Sequence, residues 1–191
     1  MISSLLLVVL VLLSSSSFLI SSAFGSQNQQ IIQYKKLLLS HHNYIRQTRN
    51  QCDYKWSVPA EIKLNDLIWD DGLEVTAQQY AEQCENLPSH THERTTCRWK
   101  SVGQNTAHVY SVPDTINVWR NSHRFYNFQN DECQSGHNCY VYKQVVNINT
   151  THIGCGIHLC YDYVKQRNKY MVVCNYAPAG YYGNQSSHLT G

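Results

Sequence analysis

From residue 29 onward the alternation of apolar and polar positions predicts helices first and strands last. Ile31, Tyr34, Leu38, His42 and Ile45 recur at three- and four-residue intervals, which puts them on one face of an α-helix. An amphipathic helix is therefore predicted from Gln29 to about Asn50. A second helix begins at Trp69-Asp70: either Asp70 or Asp71 can cap it, and Leu73, Ala77, Tyr80, Ala81 and Cys84 form its inner stripe. A third follows Pro113-Asp114, with Ile116, Trp119, His123 and Tyr126 facing inward. Late in the chain the period shortens to two, so Tyr142 to Ile148, Ile153 to Leu159 and Lys169 to Tyr176 read as strands. The last two are separated by a polar stretch containing Lys165, Arg167 and Asn168, the pattern of an antiparallel hairpin. Segregated helices and strands indicate an α+β fold rather than alternating βαβ units.

The amino-terminal stretch differs in kind. Leu5 to Leu13 is unbroken apolar sequence, Ser14 to Ser17 follows, and Ala23 with Gly25 makes a small-residue processing site. Residues 1–25 are thus expected to be a signal peptide and residues 26–191 one domain. A membrane anchor is the competing reading, because Phe18 to Ile20 extends the apolar stretch and no Lys or Arg lies near Met1. Its serines, and a length barely equal to the ~20 apolar residues of a span, weigh against it.

Composition narrows the class. With 42% hydrophobic and 15% charged residues the chain can bury a core, and 15 Lys+Arg against 13 Asp+Glu, without a basic run, excludes nucleic acid as a partner. The eight cysteines form an even set with no C-x-x-C pair, which indicates disulfides made in an oxidising, extracellular compartment. Asn149-Thr150-Thr151 and Asn184-Gln185-Ser186 are glycosylation sequons, so Asn149 and Asn184 are the expected glycan sites.

Five stretches in order carry a resemblance. His42-Asn43 with Arg46 fits an H-N-x-x-R signature, and Trp69-Asp70 with the run to Cys84 fits W-D-x-x-L-x-x-x-A-x-x-x-A-x-x-C. Gly136-His137 with Tyr142, Gln144, Val145 and Val146 resembles G-H-Y-T-Q-V-V-W with extra residues inserted. Gly154-Cys155-Gly156 with Cys160 matches G-C-x-x-x-x-C, and Cys174-Asn175-Tyr176-Ala177-Pro178-Ala179-Gly180 matches C-N-Y-x-P-x-G. The chain resembles the CAP superfamily of cysteine-rich secretory proteins, antigen 5 and pathogenesis-related proteins. Lacking a cysteine-rich tail, it is similar to the single-domain venom allergen-like members. The resemblance implies an α-β-α sandwich with a central antiparallel sheet. It also implies bridges Cys84–Cys160, Cys155–Cys174 and Cys133–Cys139, which leave Cys52 and Cys97 for each other.

The same resemblance places a cleft tetrad of two histidines and two glutamates. Carried over singly, the first histidine falls on His90, with His92 competing, and the other on His137. The glutamate positions hold Gln104 and Ser122. An amide cannot shuttle a proton near neutral pH, and Ser122 has no base placed for it, since the adjacent His123 points about 100° away on a helix. No catalytic residue is therefore assigned, and the chain is not expected to be an enzyme. His90 and His137 supply only two imidazoles where zinc takes three or four protein ligands, so no cofactor is required and any Zn²⁺ site is weak. The resemblance implies a bound sterol or fatty acid, with Tyr34, Leu37, Leu38, Ile45 and the segment Ile116 to Phe128 as the groove. The alternative is a secreted signalling or immune-modulating ligand acting on an extracellular protein through its surface, for which the 14 tyrosines are suited.

Overall fold

The computed structural model describes residues 29–48, 63–85 and 87–180. The expected signal peptide, Cys52 and Asn184 lie outside these residues. Contacts divide the chain into two units, residues 1–37 and residues 38–191. The described part of the first unit is helical and displays Ile31 and Ile32 to solvent. Helix α1 covers 29–48, and within the second unit it buries Leu38, His42, Ile45 and Arg46. Three of these belong to the predicted stripe, and the fourth is an arginine the pattern had left polar.

The remaining elements are β1 (Ile68–Trp69), α2 (Asp71–Ala81), β2 (Gly103–Val109), α3 (Thr115–Arg120), β3 (Tyr126–Asn127), β4 (Glu132–Cys133), α4 (Tyr140–Val145), β5 (His152–Asp162) and β6 (Arg167–Ala177). Single 3-10 turns at Thr91–Arg94, Val112–Asp114 and Asn121–Phe125 link them. Asp70 caps α2 by accepting the Leu73 N–H at 2.9 Å, which resolves the choice between the two aspartates. The four-stranded sheet has the order β1-β5-β6-β2. Its three long strands are antiparallel, as expected, and the two-residue β1 adds a parallel pair with β5, so the sheet is mixed. β3 and β4 form a separate small hairpin.

Alternation along β6 sorts the two faces. Met171 and Val173 join Ala77, Tyr80, Ala81 and Cys160 in the core under α2. Tyr176 points to the opposite face, where its ring meets His42 of α1, and α3 and α4 pack near β2. Helices thus lie on both sides of the sheet. Two glycines set the spacing on the α2 side. A Cβ on Gly154 would stand 2.2 Å from the Glu74 nitrogen, and one on Gly156 2.2 Å from the Gln78 Cα, so the α2 backbone rests directly on β5.

Three expected bridges are present: Cys84–Cys160 joins the end of α2 to β5, Cys155–Cys174 joins β5 to β6, and Cys133–Cys139 closes a short loop. The fourth expected pair falls partly outside the described residues, since Cys52 is not among them; Cys97 is exposed. The predicted strand Tyr142 to Ile148 is corrected, because residues 140–145 are helix α4. Its buried apolar positions Tyr142, Val145 and Val146 stand at i, i+3 and i+4, which is helical spacing, and Gln144 is buried beside them.

Candidate functional site

The H-N-x-x-R residues of α1 are committed to holding the fold. His42 is fully buried, with Nδ1 2.6 Å from the Leu38 carbonyl and Nε2 2.8 Å from the Tyr176 hydroxyl. A carbonyl only accepts, so Nδ1 carries the proton and Nε2 takes the Tyr176 hydroxyl's. The same tyrosine oxygen accepts from Asn105 Nδ2 at 3.2 Å. Burial holds the His42 pKa down to about 4, against the pull of the Leu38 carbonyl and with the help of the Arg46 charge. Asn43 pairs with both backbone groups of Leu67. Arg46 donates to the carbonyls of Asn65, Val145, Asn147 and Thr150, tying α1 to three later segments.

Gln104 sits on the α2 face of β2 and is buried. Its Oε1 accepts the Ser89 N–H at 2.7 Å, and its Nε2 donates to Asn175 Oδ1 at 2.9 Å. Asn175 in turn donates to Thr76 Oγ1 at 2.9 Å. An amide fits this position because it must accept on one side and donate on the other, which an ionised carboxylate cannot do. His90, next to Ser89, is exposed; its N–H is taken by the Glu93 carboxylate at 2.7 Å, and its ring lies parallel to that of His92 with centroids 5.8 Å apart.

Ser122 and His137 belong to a different neighbourhood. Ser122 lies in the 3-10 turn Asn121–Phe125, where its Oγ is buried and has no hydrogen-bond partner among the described residues. Its neighbour His123 directs Nδ1 to the Arg120 carbonyl at 2.9 Å, and burial lowers its pKa. Cys139 Sγ stands 3.8 Å from the Ser122 carbonyl, so the turn abuts the Cys133–Cys139 loop. On that loop His137 is exposed, with its ring stacked on Phe125 at 3.5 Å and 10°. Arg124 lies over the other ring partner, Phe125, at 5.4 Å. The structure therefore brings together Gln104 with the His90 stretch, and Ser122 with the His137 loop. Among the described residues no hydrogen bond or ring contact joins the two groups.

One residue was missed by sequence reasoning. Counted back from Gln144 in α4 without an insertion, the place three residues earlier falls on Val141, whose carbonyl accepts from Asn105 Nδ2 at 2.8 Å. The signal was available in the unbroken Tyr142 and Gln144-Val145-Val146 spacing. Zinc fits this donor set poorly. His90 and His137 stand on separate elements, the Gln104 amide is saturated, and among the described residues no three His, Cys, Asp or Glu side chains are gathered. Nor is any helix among them long and apolar enough to cross a membrane.

Comparison with known proteins places the chain in a family. The chain is 35% identical over 133 residues to peptidase inhibitor 16 of Mus musculus, covering 69% of this chain and 26% of that one. It thus spans about a quarter of that relative's length. It is 34% identical over 170 residues to venom allergen 5 of Polistes dominula, covering 79% of this chain and 70% of the relative. The structure of Schistosoma mansoni venom allergen-like protein 4 matches with a TM-score of 0.66 at 28% identity, covering 76% of this chain and 88% of that one. NaASP2, solved with Zn²⁺, shares the fold at a TM-score of 0.59 and 21% identity, covering 78% of this chain and 82% of that one. The model of the cysteine-rich secretory protein family matches residues 39–176, most of the described chain, and the protein belongs to this CAP family.

Proposed function

We propose that the chain works outside the cell as a non-enzymatic ligand for an extracellular protein, through the surface built on the Cys133–Cys139 loop. The observation that carries this reading is the stack in which the exposed Arg124 and His137 flank the half-buried Phe125. A disulfide closes the loop, and Asp131, held between the Tyr126 hydroxyl and the Lys143 ammonium, fixes its approach. Aromatic and arginine side chains held in place before binding lose little entropy on contact and are the usual anchors of interfaces. Export is supported by the signal-like residues 1–25 and the bridges. Asn149 is exposed and available for a glycan, which would leave the loop surface uncovered if it forms there alone. Enzymatic activity is disfavoured by the saturated Gln104 amide and the unassisted Ser122.

Carriage of a sterol or fatty acid is the second reading. Leu38, Ile45, Ile116 and Trp119, four of the expected groove residues, are 1%, 4%, 8% and 0% exposed and pack as core. What favours the reading is the pair of half-exposed isoleucines, Ile31 and Ile32, on the helix over 29–37. Two titrations separate the readings. Labelled, delipidated protein is titrated onto intact cells before and after surface trypsin treatment, and with radiolabelled sterol and fatty acid. Saturable, trypsin-sensitive cell binding that Arg124→Ala with His137→Ala abolishes supports the first. Saturable lipid binding indifferent to that double variant, with no such cell binding, would replace it with the second.

A further inference from the structure

We infer that the tip of the β5–β6 hairpin is a docking element for an anionic phospholipid bilayer. The inference goes beyond the protein-ligand reading and uses a different surface. At the tip Tyr163 and Val164 are 85% and 92% exposed, with Leu159 and Tyr161 about half exposed behind them. The turn itself is held in shape: Asp162 Oδ1 accepts the N–H groups of both Val164 and Lys165 at 3.1 Å, and Gln166 takes a left-handed φ of 52°. Below it the Cys84–Cys160 bridge and the Asp162–Lys169 ion pair at 3.4 Å fasten the strands. The chain therefore holds apolar side chains out in water on a structured support.

Charge identifies the occupant. Asp162 is the one acid between residues 159 and 170, and Lys169 neutralises it. Lys165 and Arg167 are left in excess; both lie over the ring of Tyr110, at 5.9 and 3.5 Å, which keeps them beside the tip. A stable protein interface wants roughly 800 Å² per partner on a matching face. Two side chains projecting beyond the strand ends make a wedge instead. A wedge of valine and tyrosine, flanked by an arginine and a lysine, suits the headgroup boundary of a bilayer, where tyrosine's ring and hydroxyl are both accommodated and cations meet acidic headgroups.

The test is sedimentation of the secreted protein with phosphatidylcholine vesicles, with and without phosphatidylserine. Retention is expected to rise roughly tenfold with the acidic lipid and to fall as salt is added. Tyr163→Ser with Val164→Asp should lose roughly tenfold on acidic vesicles, and Lys165→Glu should lose the preference for them, while Lys165→Arg keeps it. These side chains lie outside the core, and an unchanged near-ultraviolet circular dichroism spectrum reports an intact fold. Arg124→Ala with His137→Ala should retain vesicle binding, so failure of the protein-ligand reading leaves this result untouched. Equal retention on neutral and acidic vesicles, or full retention by the folded tip variant, overturns the proposal. So does trypsin-sensitive binding to cells that depends on Val164 without any vesicle binding, which would make a protein the occupant.

Discussion

Two histidine regions of this molecule look alike in sequence and opposite in structure. His42, in the join of α1 with β6 and β2, is fully buried, and both ring nitrogens are used. His137, on the Cys133–Cys139 loop, is exposed and makes a ring stack with Phe125. The first belongs to a recognisable motif and its chemistry is spent inside the fold; the second remains open to a partner. A motif residue of this family thus marks where the chain closes on itself. The surfaces with chemistry to spare, the Arg124-Phe125-His137 stack and the β5–β6 tip, lie outside the tightly bonded knot.

The contrast breaks most sharply if the knot is opened. Arg46→Met keeps much of the side-chain volume but leaves the carbonyls of Asn65, Val145, Asn147 and Thr150 without their donor. Each buried carbonyl left bare costs about 1–3 kcal/mol, so a loss near 5 kcal/mol is expected, on the order of a domain's whole stability. Urea unfolding checks this; a loss below about 1 kcal/mol would show that water replaces the guanidinium and that the knot is not sealed.

Gly154→Ala comes next. The added methyl would meet the Glu74 nitrogen at 2.2 Å and the Asp70 carbonyl oxygen at 2.5 Å, both backbone atoms that cannot swing aside. α2 must lift from β5, and a cost of about 3 kcal/mol is expected, near the upper end for overpacking. An alanine variant with an unchanged urea midpoint would show that α2 can shift freely over the sheet.

The third expectation concerns pH. At neutral pH His42 is uncharged in both folded and unfolded chains and adds no pH dependence. As pH falls below 6.5 the unfolded chain binds a proton that the folded site refuses until about 4. Stability should therefore decline from pH 6.5 to about 4, by a contribution on the order of 3 kcal/mol, and then level off for this group. Urea midpoints across that range, compared with His42→Gln, isolate it. A variant with the same slope as the parent would assign the decline to other groups.

The legibility of the chain follows the same division. α2 and the β5–β6 hairpin were readable because their buried side chains are apolar at regular spacing: Leu73, Ala77 and Tyr80 in α2, or Ile153 and Met171 to Val173 in the strands; α1 was readable from Leu38 and Ile45, although it also buries His42 and Arg46. β2 was not readable. Its buried positions include Gln104 and Asn105, amides whose bonds to Ser89, Asn175 and Tyr176 come from residues distant in sequence. α4 was misread for a different reason: Val and Tyr favour strands, and this propensity outweighed the helical i, i+3, i+4 spacing of Tyr142, Val145 and Val146. At the site, the resemblance leads to the expectation that Gln104 and Ser122 stand where carboxylates would. The distribution of His90, Gln104, Ser122 and His137 over two neighbourhoods was not legible, because it depends on where the disulfide-closed loop from Cys133 to Cys139 folds back.

The smallest effect is the one that sharpens the comparison most. His137→Ala removes an exposed ring that stacks on Phe125. An exposed aromatic pair contributes at most about 1 kcal/mol, and the disulfide continues to close the loop without it. A change within about 0.5 kcal/mol is therefore expected, in urea midpoint as in thermal midpoint. His42→Gln by the same measurement should lose at least several times as much at pH 7, since one amide cannot reproduce both the Leu38 and Tyr176 bonds at the imidazole's spacing. A loss above about 2 kcal/mol for His137→Ala would mean that the stack on Phe125 holds the loop in place. The ring would then be part of the fold, as His42 is, and the surface left for a partner would shrink to Arg124 and its surroundings.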